Sequence, residues 1–173
     1  ILYIDTFIEK ANKDFQKLGQ RTIREYDTPA MVNDSKWCEE LDNTPGVFRE
    51  LAPSIVCALL YVARCTRLDV LFPVCRLTRY IAAARWMLRQ DNWLYRVLGY
   101  LQRTSKMKLN YSIYPPDFEE GGDGCFENWS DADLGGCELT KRSTSGGCGL
   151  LVGSKSRALV EAHCKRQGQV GLS

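Results

Sequence analysis

The stretch from Trp129 to Gly153 constrains this chain more than any other. It opens Trp-Ser-Asp-Ala-Asp, with Asp131 and Asp133 one residue apart. A turn rich in Gly, Thr, Lys and Arg follows, and a small-residue run leads into Leu150, Leu151 and Val152. This pattern predicts a carboxylate at the end of one strand, a polar connection and a second strand coming back. Strands are expected from Cys125 to Asp131, Ser143 to Val152 and Ala158 to His163. If the first strand stays regular, Asp133 shares a face with Asp131; a solvated turn residue is the expected role for Asp133.

Upstream, the dominant period is helical. Ile4, Phe7, Ile8, Ala11, Phe15 and Leu18 form one stripe that Gly19 can stop. Tyr3-Ile4-Asp5 is similar to the polymerase Tyr-x-Asp-Asp signature, but Thr6 stands in place of the second acid. Asp5 is therefore expected at the head of a helix, where a negative charge suits the dipole. Thr28-Pro29 breaks the pattern, and a polar loop is expected from Asn33 through Pro45-Gly46. Phe48 to Arg64 is helical again, starting near Pro53, which is acceptable in a first turn. Val70 to Tyr80 continues the pattern, with Pro73 tolerable only in the opening turn. Trp93 to Leu101 is the last helix; Gly99 within it should cost about 1 kcal/mol relative to Ala. Leu109 to Tyr114 alternates as a half-buried strand does. Pro115 to Gly124, with its two prolines, three glycines and four acids, reads as a linker. The resulting expectation is an α+β chain: a helical block over 1–114 with a short strand, the linker 115–124, and a three-stranded antiparallel ribbon over 125–173.

Net charge is only +2, but it is unevenly spread. Arg64 to Lys108 holds ten Lys/Arg and two acids, Leu109 to Leu139 eight acids and no base, and Thr140 onward six bases and one acid. Such blocks suit an anionic partner beside an acid cluster, or simply three solvated faces. None of the eight cysteines forms a Cys-x-x-Cys pair, and Cys57, Cys65 and Cys75 lie in apolar runs. Buried free thiols and a reducing, intracellular compartment are expected. His163-Cys164 is a candidate ligand pair, but adjacent strand residues point to opposite faces. No secretory leader and no apolar run of about 20 residues is present, so no membrane partner is expected. Tyr80, Trp86, Trp93 and Tyr100 can stack on bases or fill the core; their helical spacing favours core.

The run Ser130-Asp131-Ala132-Asp133, Gly135 and Thr140-Lys141-Arg142-Ser143-Thr144-Ser145-Gly146 resembles the opening hairpin of ribonuclease H in copia-type (Pseudoviridae-like) retrotransposon polyproteins. Leu59 to Val70 resembles the same family's leucine-rich helix followed by Thr-Arg-Pro-Asp, with Leu68 for Pro. Arg96 to Thr104 resembles its Arg-x-Leu-Arg-Tyr-Leu-x-Gly-Thr, with Gly99 for Arg. Cys164-Lys165-Arg166-Gln167 resembles its Ser-Lys-Lys-Gln. Leu134 stands where the family has Trp, and Cys137 near where it has an acid.

The resemblance implies the end of a reverse transcriptase joined to the start of a ribonuclease H, as a piece of a longer Pol polyprotein. The parent would carry out RNA-directed DNA synthesis and hydrolyse RNA–DNA hybrids with Mg²⁺ or Mn²⁺ in a two-ion site. Asp131 matches the first catalytic, metal-binding carboxylate of that site; the other acids would follow Ser173, and the polymerase aspartates would precede Ile1. The chain alone is therefore expected to be inactive and to hold no ion. Arg76, Arg79, Arg96, Arg103, Lys141 and Arg142 are the candidate contacts to hybrid or other nucleic-acid phosphates. The implied partners are nucleic acid and the rest of the polyprotein, in a cytoplasmic particle or the nucleus. Two alternatives stay open: a decayed or repurposed non-catalytic nucleic-acid-binding remnant, and a cysteine-rich metal module.

Overall fold

The computed structural model describes residues 2–30, 38–133, 136 and 140–168. It divides into two compact units, Ile1–Met107 and Lys108–Ser173. The expectations placed on Leu134, Gly135, Cys137 and Ser173 fall outside the described residues.

The first unit is helical: α1 (Leu2–Lys17), α2 (Glu39–Asn43), α3 (Ala52–Cys65), a 3-10 turn at Leu68–Val70, α4 (Leu71–Ala82) and α5 (Leu88–Arg103). Along α1, the buried residues Ile4, Ile8, Ala11 and Phe15 recur at helical spacing. Gly19 ends the helix at φ +69°, and Gln20 N–H donates to Phe15 O at 3.0 Å, as a left-handed stop requires. Asp5 sits in the first turn of α1. Pro53 falls at the first positions of α3 and Pro73 in the first turn of α4, where a missing N–H costs nothing. Helix α5 begins a turn before the sequence pattern predicts, because Gln90 Oε1 accepts the Met87 N–H at 2.8 Å. It is the centre of the unit: Trp93, Leu94, Tyr95, Val97, Leu98 and Leu101 are all buried. Phe15 stacks on Phe48 with ring centroids 3.9 Å apart, and Tyr95 meets both edge-on. Tyr80, Trp86 and Trp93 are core residues.

Gly99 has a local reason. A β-carbon there would lie 2.0 Å from Arg24 O and 2.6 Å from the Tyr26 ring. The segment before Thr28 crosses α5 at this point, and only a residue without a side chain admits it.

The second unit is built on β1 (Cys125–Ala132), β2 (Thr144–Val152) and β3 (Arg157–Arg166), an antiparallel sheet in the order β1-β2-β3. Asp131 pairs with Gly146, and Trp129 with Cys148. The glycines of β2 make room for their neighbours: Phe126 from β1 lies over Gly149, and His163 from β3 over Gly147. Leu150, Leu151 and Val152 are half-buried.

Four expectations are corrected. The stretch from Asn33 through Pro45-Gly46, expected as a polar loop, carries the short helix α2 (Glu39–Asn43) among its described residues. Leu109 to Tyr114 is not a strand. Only Ser112 bridges to Arg157, and the prolines that follow bring no N–H to extend a ladder. The 115–124 stretch is not a bare linker, and the boundary between units falls earlier, after Met107. Pro115–Phe118 forms a 3-10 turn that buries Asp117. The Asp117 carboxylate accepts Ser154 Oγ–H and Lys155 N–H, both at 3.0 Å, and so pins the β2–β3 turn. Among the described residues the cysteines form no disulfide, but none of them is buried. Cys57, Cys65 and Cys125 are exposed; Cys38, Cys75, Cys148 and Cys164 are half-buried. On α3 the core face is taken by Ile55, Val56, Leu59, Val62 and Ala63, which leaves Cys57 and Cys65 outside.

Among the described residues, no helix is long and apolar enough to cross a membrane.

Candidate nucleic-acid interface and carboxylate site

Asp131 lies one residue from the end of β1 and is exposed, with Oδ1 accepting the Ala132 N–H at 2.8 Å. Its strand neighbours on the same face are Trp129 and Glu127. Trp129 is 63% exposed and donates from Nε1 to Glu127 Oε2 at 3.3 Å. Glu127 and Asp131 are four residues apart on one strand, about 13 Å, too far to ligate one ion. Among the described residues no three His, Cys, Asp or Glu side chains are grouped to hold a metal. Asp131 can supply one oxygen ligand, and the described residues do not fit a pair of divalent ions without further ligands.

Asp133 is half-buried rather than solvated. Its N–H donates to Thr144 O at 3.0 Å, and its carboxylate accepts the Thr144 N–H, so the side chain closes the open end of the β1–β2 pair. Lys141, at φ +54° and exposed, precedes β2 together with the half-buried Arg142.

The arginines of the first unit are engaged within it. The Arg76 guanidinium stacks 3.8 Å above the Trp93 ring. Arg96 lies over the Tyr26 ring at 4.9 Å and donates to Thr28 Oγ1 at 2.7 Å. Arg103 reaches Asp27 at 2.9 Å and Glu25 at 3.7 Å. Arg79 is half-buried on α4 and has interactions of its own. All four thus already hold intramolecular partners, which narrows the surface they offer to a phosphate. The arginines and Asp131 belong to different units.

Three charged groups that periodicity does not single out organise the fold around these residues. Arg67 is buried after α3; it donates to both Asp69 oxygens at 3.0 and 2.7 Å and to Thr104 O at 3.0 Å. Burial alone would raise the Asp69 pKa, but the Arg67 and Tyr100 hydrogen bonds and the Arg67 charge hold it below its ordinary value. Asp91 is buried on α5 and receives Trp86 Nε1–H and Val47 N–H, both at 2.6 Å, and Phe48 N–H at 3.3 Å; burial outweighs these donors and pushes its pKa up. For Asp117, the Ser156, Lys155 and Ser154 donors outweigh burial and lower its pKa. The available sequence signals were an acid in a helix's first turn at Asp91, the Arg-x-Asp spacing at Arg67, and Pro-Pro-Asp at Asp117.

Comparison of the chain with protein-family models, with curated proteins and with solved structures returned no match.

Proposed function

We propose that this chain is a piece of a copia-type retrotransposon Pol polyprotein, covering the end of the reverse transcriptase and the start of a ribonuclease H-like domain. The observation that carries the reading is the place of Ser130-Asp131-Ala132-Asp133. The stretch lies at the close of β1, and β2 returns directly after the Lys141-Arg142-Ser143 turn. That is the strand–turn–strand order on which the resemblance rests. In this reading the parent protein acts inside the cell on RNA–DNA hybrids with Mg²⁺ or Mn²⁺, and Asp131 is the first ligand of its two-ion site. The helical unit belongs to the reverse transcriptase. Phosphate contacts fall to Lys141 and Arg142 more than to Arg76, Arg79, Arg96 and Arg103, whose partners are intramolecular.

The departures from the family pattern weigh less toward decay than the bare sequence suggests. Gly99 admits the crossing segment, and Arg67 with Asp69 is fully paired although Leu68 replaces Pro.

The test is a hybrid-cleavage assay with Mg²⁺ and Mn²⁺ on the 173-residue chain and on a chain extended past Ser173, each with and without Asp131→Asn. The short chain should be inactive in both forms, since one carboxylate cannot fix two ions against their hydration. The extended chain should cleave, and the substitution should abolish its activity. An active extended chain that tolerates Asn at 131 overturns the reading.

A further inference from the structure

Residues 20–30 run without helix or strand, and up to Tyr26 they are fastened across α5. Ile23 is buried and its N–H donates to Asn12 Oδ1 at 2.8 Å. The Tyr95 hydroxyl donates to Arg21 O at 2.9 Å, and Arg24 O lies over Gly99. From Asp27 to Ala30, among the described residues, the ties to α5 come from side chains. Asp27 pairs with Arg103 at 2.9 Å, and Arg96 Nη2 donates to Thr28 Oγ1 at 2.7 Å. Thr28 is exposed and is followed by Pro29. The residue before a proline is held extended, and an exposed, extended Thr-Pro is the form in which proline-directed protein kinases take a substrate.

The surroundings of Thr28 suit a phosphate. Arg24 and Arg96 each set a guanidinium 4.9 Å from the centroid of the Tyr26 ring, and Arg103 stands beside Glu25 and Asp27. Three guanidiniums thus face two carboxylates, a surplus of one positive charge. Arg96 uses one N–H on Thr28, and its Nε is buried without an acceptor. A phosphate on Oγ1 offers this planar fork several charged acceptors where the hydroxyl offers one.

The chain's other Thr-Pro, Thr44-Pro45, is differently placed. Thr44 O accepts the Leu88 N–H at 2.9 Å, Pro45 bridges Met87, and Gly46 N–H donates to Trp86 O at 3.1 Å. Its backbone is committed, and Glu39, Glu40 and Asp42 precede it.

We propose that Thr28 is a phosphorylation site for a proline-directed protein kinase, and that Arg96 clasps the phosphate and fastens the outer end of the crossing segment to α5. In the step, the γ-phosphorus of ATP bonds to Thr28 Oγ1, its bond to the ADP oxygen breaks, and the hydroxyl proton is released. The added charge, about −1.5 to −2 at pH 7, outweighs the local positive surplus.

The test incubates the 173-residue chain with a purified proline-directed kinase and Mg²⁺–ATP, and maps the sites by mass spectrometry. Thr28 should be modified faster than Thr44 by about tenfold or more, because Thr44 must first give up backbone hydrogen bonds. Thr28→Ala should remove the main site. Phosphorus NMR then reads the clasp. The second ionisation of phosphothreonine, ordinarily about 6, should be lowered in the folded chain and return to its ordinary value in the same sample unfolded in urea. Arg96→Gln should raise it in the folded chain as well; the urea comparison uses no variant and decides by itself if Arg96→Gln does not fold. No labelling at Thr28, labelling of Thr44 at an equal rate, a phosphate that titrates alike folded and unfolded, or a folded Arg96→Gln chain that keeps the wild-type midpoint would each overturn the proposal.

Discussion

The two units of this chain hold themselves together by different means. In the helical unit, long apolar side chains from α1, α3, α4 and α5 meet in one core, and Phe15, Phe48, Leu59, Leu77, Leu94, Leu98 and Leu101 are fully buried. In the sheet unit, Ala158 is the one buried apolar residue among those described, and Phe126, Trp129 and Val160 face water. The sheet depends instead on its ladder and on two carboxylates, Asp117 at the β2–β3 turn and Asp133 at the β1–β2 pair. Burial is the larger of the two sources of stability, about 25 cal/mol per Å² of apolar surface, whereas a neutral hydrogen bond returns about 1 kcal/mol net. A unit resting on the second source tolerates side-chain truncation and is sensitive to its turns and edges.

The largest effect that sharpens this contrast is a pair of truncations. Phe48→Ala should destabilise the helical unit by about 3–5 kcal/mol, since it removes a ring stacked on Phe15 from a filled core. Leu150→Ala, half-buried on β2, should cost the sheet unit about 1 kcal/mol. Urea titration followed by residue-resolved NMR reports each unit separately; equal costs would break the comparison.

Next in size is Gly99→Ala. On an exposed helix face this change gains about 1 kcal/mol, but here the added carbon meets Arg24 O. A loss of about 1–3 kcal/mol is expected, with the amide signals of residues 23–26 displaced. A stabilised variant would show that the crossing segment is free to retreat.

Acid has a smaller effect on both units, and its sign follows from the carboxylates. Asp69 and Asp117 are lowered in the folded state, so each contributes stability that is present above the ordinary Asp value of about 3.9. That contribution is lost as pH falls through the lowered folded value. Asp91 is raised, so its contribution is complete below that ordinary value and fades as pH rises through the folded one. Between about pH 5 and pH 2 the helical unit of Asp69→Asn should therefore lose less stability than the wild type, while the sheet unit follows the wild-type curve. A parallel acid limb in the helical unit would remove Asp69 from the explanation.

The smallest effect is chemical rather than energetic. Cys57 and Cys65 in the helical unit and Cys125 in the sheet unit should react with a thiol probe in the folded chain, ahead of Cys38, Cys75, Cys148 and Cys164. Mass spectrometry of partially labelled protein gives the order. Protection of Cys57 equal to that of Cys75 would mean that the outer face of α3 is covered.

Local pattern was enough to determine the long helices and the strands of the sheet, though not the short helix α2 or the 3-10 turn at Pro115–Phe118. The stripes of α1, α3, α4 and α5, the first-turn prolines, the Gly19 stop and the three strands with their turns are all written in spacings of a few residues. Helical and strand periods are properties of neighbouring positions, so they are legible one segment at a time. Asp131 at the end of β1 was legible for the same reason. Partner choice was settled only by the tertiary structure. Arg76 finds Trp93, Arg96 finds Tyr26, and Arg103 finds Asp27 across stretches of chain with no shared period. The same holds for Asp117, which turns a Pro/Gly-rich stretch into part of the sheet unit, and for Gly99, whose missing side chain matters only because residue 24 passes over it. Which face of α3 carries a cysteine was likewise decided by what packs against the other face. Such contacts depend on where distant segments arrive, and that is set by burying all the apolar stripes at once, not by any one of them.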